Sequence, residues 1–530
     1  MITDHVWNLK PEVIVVAEQK VLIDLADRPI EESAERPHEV VMRPRLKVVN
    51  RNQLLMRSVD VEKLIEPDHP ARGIWALVER LDMKPFEKSI KAVEGHAGQS
   101  TLDPRVLVTL WIYANSEGVG SARELSRMVE YEPGCQWITG MTSINYHTLA
   151  DFRVDHRQAL NECFIQVLGV LSADGLVELK QIMQDGTKVK ANAAAGTFRR
   201  EQRLQEHLEL ARQQVEQLSD PNSEELSQRA AKARQRAVRE KKERLELALK
   251  ELEKLRKEKA PKDRDDVRVS SSDPEARKMK QNDGGYAASY NVQLSTDGAH
   301  DIIIAIGVTQ DRHDGDQLIP AIEEIQHNTG RLPEQVVADG AYTKNTNIDA
   351  MEDKGIEIIG PVGEDQTMKS CQRRGVSAEF YPAAFEYDAT TDTYHCPAGK
   401  TLTLKQCRQR NGRTEYNYQA DPIDCQVCPF LKQCCPKTRS RWLTRIQNSE
   451  AVQAFREKMR TEAAQQIYKR RKQIAEFPNA WIKDKLGLRK FRLRGLVKVR
   501  TETVWACLTY NVQQWIRLRW KLQVAAISAQ

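Results

Sequence analysis

The spacing of apolar side chains along residues 59–156 is that of helices. Ile74, Leu77, Val78 and Leu81 lie on one face, and a second apolar face begins after Pro104, a residue favoured at the first position of a helix. This pattern predicts an all-helical amino-terminal domain, which we place at residues 51–175. Residues 1–50 are rich in Pro and charge and show little periodicity, so we predict an extended arm there.

Residues 199–261 are dominated by Glu, Lys, Arg, Gln and Leu, and their apolar positions follow coiled-coil spacing. The two series are Leu204, Leu208, Ala211, Val215 and Leu218, then Leu245, Ala248, Leu252 and Leu255. Steps of four and three residues predict two helices packed along one seam. We interpret this segment as a helical hairpin inserted in a surface loop, and the alternative is that it binds a second copy or DNA.

On either side of the hairpin the apolar period changes to that of strands. Strands are predicted at residues 181–190, 290–294 and 302–309, followed by a helix at 316–328, a strand at 335–338, a helix at 344–354 and a strand at 356–359. Three strands followed by helix, strand, helix and strand is the order of the ribonuclease H fold. The predicted fold class is therefore α/β. We expect a ribonuclease H-like mixed-sheet catalytic domain formed by residues 176–198, 262–362 and 446–530.

Composition limits the partners of the chain. Its 530 residues are 29% charged, with a mean hydropathy of −0.60. No apolar run reaches the roughly 18 residues that a membrane span needs, and residues 1–20 lack a signal-peptide layout. We therefore expect a cytoplasmic protein that has no membrane partner.

Charge is distributed unevenly along the chain. Residues 437–530 contain 22 Lys and Arg against 6 Asp and Glu, a net charge of +16 that leaves −10 for the rest. The same segment contains Trp442, Trp481, Trp505, Trp515 and Trp520. A mixture of cations and aromatic side chains favours a nucleic-acid-binding surface.

The cysteines between residues 396 and 435 have the spacing of a metal site. Cys425 and Cys428 form a C-x2-C pair, Cys434 follows six residues later, and Cys396 lies upstream. These four cysteines could complete a structural Zn²⁺ site, with Cys435 as a substitute for Cys434, and Cys407 or His395 as poorer candidates. We therefore predict a small zinc-ribbon-like insertion at residues 363–445. Loose free thiols in a surface insertion are the alternative.

Three carboxylates are candidates for catalysis. Asp185 lies within a predicted central strand, where an unpaired charge would be costly. Asp339 follows a buried strand, the position at which α/β sheets bind ligands, and Asp311, Asp314 and Asp316 in another loop are competitors. Glu476 lies seven residues before Lys483, so both could share one helix face. Pro478 between them could end or kink that helix.

These motifs, in this order, resemble those of DDE transposases from bacterial insertion sequences, in the branch with a Tyr-Arg-Glu-Lys signature. The matching residues are Asp185-Gly186-Thr187, Asp339-Gly340-Ala341-Tyr342, and Tyr468 with Arg471, Glu476 and Lys483. Further matches are Asp68-His69-Pro70, Ser121-Ala122-Arg123-Glu124-Leu125, Asp151-Phe152-Arg153, Ser272-Asp273-Pro274-Glu275-Ala276 and Leu493-Arg494-Gly495-Leu496. The sequence departs from the family at Asn479-Ala480, where Phe-Gly is common, and the spacing from Tyr to Glu is one residue longer.

The resemblance implies that the protein cleaves the ends of a mobile element and transfers them to target DNA. Two Mg²⁺ or Mn²⁺ ions suit this chemistry, and carboxylates suit these ions. In this interpretation Asp185 would bridge the ions, while Asp339 and Glu476 would each hold one. The residues expected to contact DNA phosphates are Tyr468, Arg471, Lys483, Arg489, Lys490, Arg492 and Arg494.

The resemblance also implies a bacterial, nucleoid-associated protein with a DNA-binding helical domain and a homodimer on double-stranded DNA. Two other functions remain open from the sequence. One is a catalytically inactive, domesticated DNA-binding protein, and the other is a structure-specific nuclease without strand transfer.

Overall fold

The computed structural model describes residues 58–88, 90, 101–217, 228–281, 283–362, 366–410, 413–447 and 449–528, together with 52, 54 and 56. The predicted arm at residues 1–50 lies outside this range, as does Leu218 of the predicted coiled-coil seam. In the described part of the chain, no helix is long and apolar enough to cross a bilayer.

The amino-terminal part is helical. Its helices are α1 (Pro70–Val78), α2 (Lys84–Glu87), α3 (Pro104–Ser116), α4 (Ala122–Tyr131), α5 (Pro133–Thr139), α6 (Tyr146–Asp155) and α7 (Arg157–Ala173). Local sequence sets their starts: the side chain of Asp103 accepts from the Arg105 amide at 2.8 Å before α3, and Ser121 caps α4. The buried face of α3 includes Trp111, which is fully enclosed.

The strand β1 (Gln181–Lys190) is followed by the helical hairpin. The hairpin consists of β2 (Phe198–Arg199), α8 (Glu201–Gln217), α9 (Gln228–Glu258) and β3 (Val269–Ser270), and β2 pairs antiparallel with β3 at its base. The two helices bury a small separate core of Leu204, Leu208, Ala211, Leu245, Ala248 and Leu252. These are positions of the predicted seam.

One mixed sheet forms the centre of the molecule. Its other strands are β4 (Arg277–Lys280), β5 (Tyr286–Asp297), β6 (Ile303–Thr309), β7 (Gln335–Ala338) and β8 (Glu357–Ile359), with α10 (Leu318–Thr329) and α11 (Asn345–Asp353) between them. The order is β4-β5-β1-β7-β8, and β6 also pairs with β5. β5 runs antiparallel to β1, whereas β7 and β8 run parallel to it. The chain is thus mixed α/β, as predicted, although the sequence analysis did not predict β4.

A second, five-stranded antiparallel sheet lies in the cysteine-rich segment. It contains β9 (Glu386–Asp388), β10 (Thr393–His395), β11 (Thr401–Arg410), β12 (Arg413–Ala420) and β13 (Trp442–Gln447). The short helices α12 (Gln366–Arg374), α13 (Pro422–Gln426) and α14 (Leu431–Cys434) accompany it. Its buried apolar residues are Phe385, Leu402, Tyr418, Ala420 and Leu443, so its core is small.

The carboxy-terminal helices return to the central sheet. They are α15 (Glu450–Lys458), α16 (Glu462–Asp484), α17 (Leu496–Trp515) and α18 (Lys521–Ser528), with one π-helical segment (Ile516–Trp520) between the last two. Residues of α17 share one core with α3, α7 and β6. Trp505, Trp515 and Trp520 are buried there, so the prediction that they belong to a nucleic-acid-binding surface is wrong. Helix α17 is buried on nearly every side, so Trp505 and Trp515 face the core, and Trp520 is buried in the π-helical segment that follows.

Candidate functional site

The site is centred on two aspartates at the ends of neighbouring strands. β1 and β7 are parallel, and Gln184 pairs with Ala338. Asp185 and Asp339 are the next residues along these two strands, so the register places them side by side. The Oδ1 atom of Asp339 accepts a hydrogen bond from the Ala341 amide at 2.8 Å, which fixes the turn after β7.

Helix α16 packs on β1 and directs polar side chains at Asp185. The Nη2 atom of Arg471 donates to Oδ1 of Asp185 at 2.6 Å, and Nδ2 of Asn479 donates to Oδ2 at 2.8 Å. One further turn along, the Lys483 ammonium donates to the Thr187 hydroxyl. Positions 471, 479 and 483 differ by eight and four residues, so they share one face of the helix.

The helix does not end at Pro478. It continues to Asp484 with Pro478 inside it, so the proline does not terminate the helix. Glu476 lies on the same helix but is exposed, while Tyr468 is half-buried and packs against the main core. Across the described ranges, no three His, Cys, Asp or Glu side chains are grouped closely enough to hold a metal ion. The structure therefore brings Asp185 and Asp339 together but does not gather Glu476 with them.

Burial controls the protonation of this site. The side chains of Asp185 and Arg471 are only 18% and 13% exposed. Burial raises the pKa of Asp185 to about 6, the Arg471 charge opposes this rise, and the neighbouring Asp339 adds to it. Burial also lowers the pKa of Lys483, and the Asp185 charge opposes that change. Arg471 thus supplies the positive charge that a buried carboxylate needs.

Two buried polar atoms beside Asp185 have no hydrogen-bond partner in the part of the chain that the structure describes. They are Nε of Arg471 and Oδ1 of Asn479. An unpaired buried polar atom costs about 1 to 3 kcal/mol, so such atoms in a site point to a group that completes it. A guanidinium Nε–H suits a phosphate oxygen, and an amide oxygen suits a hard cation or its water.

A buried polar network that the sequence analysis missed supports the other side of β1. Asp314 accepts from Lys188 at 3.1 Å, Asn291 at 2.6 Å and Gln293 at 2.8 Å. Gly186 leaves the space for it, because a Cβ atom there would lie 2.5 Å from Asp314 Oδ1 and from Gln293 Nε2. The sequence indicates Asp314 only as a competitor of Asp339. The alternation of Asn291 and Gln293 along a strand was the signal for the rest.

A basic loop follows α16 and joins the end of β1. Lys190 accepts from the Phe491 amide at 2.8 Å and donates its own amide to Arg489 at 3.3 Å. Phe491 is buried, while Arg489, Lys490, Arg492 and Arg494 are exposed. Four of the six cations predicted to bind phosphate therefore lie in one loop, and the backbone of β1 fixes its position.

Three carboxylates accept hydrogen bonds from the backbone amides of this loop. Glu502 accepts from the amides of Arg492 and Leu493 at 3.0 to 3.1 Å. Asp273 accepts from the Gly495 amide at 3.1 Å, and Glu275 accepts from the following amide at 2.9 Å, at the start of α17. Hydrogen bonds from the backbone to these carboxylates fix the loop. Its four cationic side chains remain exposed, and one of them, Arg489, pairs with Asp484 at 2.6 Å.

The four predicted zinc ligands line one cavity. Cys396, Cys425, Cys428 and Cys434 surround it together with Cys435. All ten cysteines are free thiols. The Lys400 amide donates to the sulfur of Cys396 at 3.2 Å, and burial raises the pKa of Cys434 to about 12. The cysteines share a cavity, although the described side chains do not form a grouped set of metal ligands there.

Two families match the chain. Residues 395–516 match the transposase DDE domain, and residues 59–155 match a transposase domain of another family. No curated protein matches. Among solved structures, a cryo-EM structure of the piggyBac transposase synaptic complex with hairpin DNA is 9% identical and has a TM-score of 0.20, with 87% of this chain and 81% of that chain covered.

Proposed function

Because the two matched domains indicate an insertion-sequence DDE transposase, we propose that this chain binds the terminal inverted repeats of its element and performs metal-dependent strand cleavage and strand transfer. Its partners would be element ends and target DNA, bound by a homodimer. The proposed catalytic residues are Asp185, Asp339 and Glu476.

The main support for this proposal is that side chains from distant parts of the sequence meet at Asp185. Arg471 and Asn479, which lie 286 and 294 positions away in sequence, donate to its two carboxylate oxygens. Asp339 follows the neighbouring strand. Three distant segments thus meet at one end of the sheet, where acids and phosphate-binding donors are needed together.

Divalent ions suit the residues of this site. Asp185 and Asp339 offer hard oxygen ligands on adjacent strands, and the unpaired Asn479 amide oxygen offers another. Asp185 and Asp339 would hold the ions with Glu476, whose helix packs on β1. When bound, the ions would stabilise the charge on the attacking and leaving oxygens. Arg471 and Lys483 would orient the scissile phosphate, since Nε of Arg471 has a free proton to donate.

The strand order supports the finer proposals for the fold. An antiparallel β6-β5-β1 unit followed by parallel β7 and β8 is what we would expect of a ribonuclease H-like domain. For the cysteine-rich insertion we propose one structural Zn²⁺ held by Cys396, Cys425, Cys428 and Cys434. The shared cavity supports this assignment.

A strand-transfer assay tests the proposed function. Purified protein would be incubated with Mg²⁺, a labelled duplex that carries one end of its element, and a supercoiled target plasmid. We expect labelled plasmid products. Cleavage without labelled plasmid would instead indicate a nuclease that lacks strand transfer, and binding without cleavage would indicate a catalytically inactive DNA-binding protein.

A further inference from the structure

A groove at the base of the helical hairpin is lined almost entirely by arginines. Its walls are formed by Phe198, Arg199, Arg200, Arg203 and Arg268. Arg200, Arg203 and Arg268 are exposed and Arg199 is half-buried. A depression lined by positive charges concentrates the electric field and attracts polyanions. This groove is separate from the basic loop that contains Arg489.

The strand pairing at the groove brings like charges together. Arg199 pairs with Val269 in the antiparallel β2 and β3 ladder, so Arg200 and Arg268 lie next to this pair, just beyond the end of the ladder. Like charges on neighbouring chain segments repel each other. Arg200 pairs with Asp266 at 2.6 Å, but both side chains are more than half exposed, so this pair contributes little. Such a juxtaposition is relieved when an anion binds.

Nearby acids neutralise the groove only in part, through the pair of Asp266 with Arg200. Glu201, at the start of α8, is paired with Arg256. Arg199, Arg203 and Arg268 have no ion-pair partner among the side chains that the structure describes. An adjoining depression adds Lys259, Lys278 and Arg312 to the cations, against Asp263 and Asp266. The positive charge therefore extends beyond the groove itself.

The groove is also close to the basic loop. Asn192 donates to the Arg492 carbonyl at 2.7 Å, and the Arg494 guanidinium donates to the Asn192 carbonyl at 3.0 Å. Phe198 is six positions after Asn192, so the two residues are at most about 20 Å apart. That span is roughly six base pairs at 3.4 Å per step. The two surfaces are therefore close enough for one duplex to reach both.

We propose that the arginine groove is a second binding surface for the phosphate backbone of duplex DNA, close to the basic loop. This inference rests on the proposed function, since it assigns the hairpin base to the same DNA. Arginine suits it because the planar guanidinium can hold phosphate oxygens in pairs. The groove would bind without reading sequence, because phosphate contacts carry none.

The test is the salt dependence of binding to a mixed-sequence duplex of about 40 base pairs. The groove variant is Arg199→Gln, Arg203→Gln and Arg268→Gln combined. We expect the slope of log affinity against log salt to flatten by roughly 2 to 3 units relative to the unsubstituted chain. The matched control, Arg234→Gln, Arg239→Gln and Lys250→Gln combined, removes the same charge from exposed hairpin positions and should flatten it by less than about one unit.

The outcomes distinguish failure of the groove proposal from failure of the proposed function. A steep slope in the unsubstituted chain that the groove variant leaves unchanged would overturn the groove proposal and leave the proposed function standing. No binding by the unsubstituted chain would overturn both. If the triple variant fails to fold, Arg203→Glu alone should still flatten the slope, because that side chain is exposed on α8. An unchanged slope in this variant, with dimerisation lost instead, would assign the groove to a second copy.

Discussion

The site around Asp185 and the cysteine-rich insertion are built in opposite ways. At Asp185, hydrogen bonds join residues that lie 286 and 294 positions apart, and strands buried on a large core hold them. In the insertion, the four proposed zinc ligands lie within 39 residues, 396 to 434. Among the residues that the structure describes, the buried apolar side chains there form two small clusters, one of five residues and one of three.

This difference indicates which of the two sites needs a bound ion in order to fold. The strands around Asp185 are fixed by sheet pairing and by α16, and Arg471 already balances the buried charge. A divalent ion would add chemistry there without being required for folding. Small units with little core often need a metal or disulfides. We therefore expect zinc to stabilise the insertion and magnesium to leave global stability nearly unchanged.

The largest expected effect comes from removing the acids. Asp185→Ala, Asp339→Ala or Glu476→Ala should each reduce cleavage of element-end DNA by about 10⁴-fold or more, the scale of losing one essential catalytic group. DNA binding should persist, because carboxylates repel phosphate unless a cation intervenes. Gel-shift and cleavage assays with Mg²⁺ check both quantities, and excess chelator should also stop cleavage.

Glu476 is the most informative of the three because it is exposed and lies apart from the aspartates. Glu476→Gln keeps the size of the side chain and serves as the matched variant. Unchanged cleavage in both Glu476 variants would remove it from the proposed site. The third ligand would then have to come from another residue, for which Glu462 at the start of α16 is the first candidate.

Zinc removal should destabilise the cysteine-rich insertion without affecting the central sheet. We expect about one Zn²⁺ per chain by metal analysis, and ligand cysteines must be deprotonated to bind it. A chelator selective for zinc should expose the insertion to proteolysis while residues of the central sheet stay protected. Cys428→Ser should have the same effect, and Cys407→Ser, at an exposed position on β11, is the matched control. A purified protein without zinc would contradict the assignment.

Individual residues show why some elements of this structure could be predicted from the sequence and others could not. Helical and strand periods located α3, β1 and β7, because those patterns are local. The contact of Asn479 with Asp185 depends on how α16 crosses the sheet, which no local pattern encodes. The same holds for Trp505: in a basic segment it resembled a surface residue, and only the tertiary packing of α17 buries it.

The basic loop gives a smaller and graded effect. Neutralising Arg489, Lys490, Arg492 and Arg494 together should flatten the salt dependence of DNA binding by up to roughly 3 to 4 units. Cleavage should also fall, because the loop follows α16 directly and β1 fixes its position. Circular dichroism must show an intact fold. An unchanged slope would mean that these side chains only cover the buried Leu486, Leu488 and Phe491.

The smallest effect is expected at Asn479. Asn479→Ala removes one hydrogen bond to a charged partner, so we expect the free energy of unfolding to fall by about 1 to 3 kcal/mol. Asn479→Asp instead places a second carboxylate against Asp185, and the two like charges should destabilise the metal-free protein. Mg²⁺ should then raise the melting temperature of the Asp variant more than that of the unsubstituted chain. Equal responses to Mg²⁺ would show that position 479 does not face the ions, and Asn479 would then serve only to hold Asp185 in place.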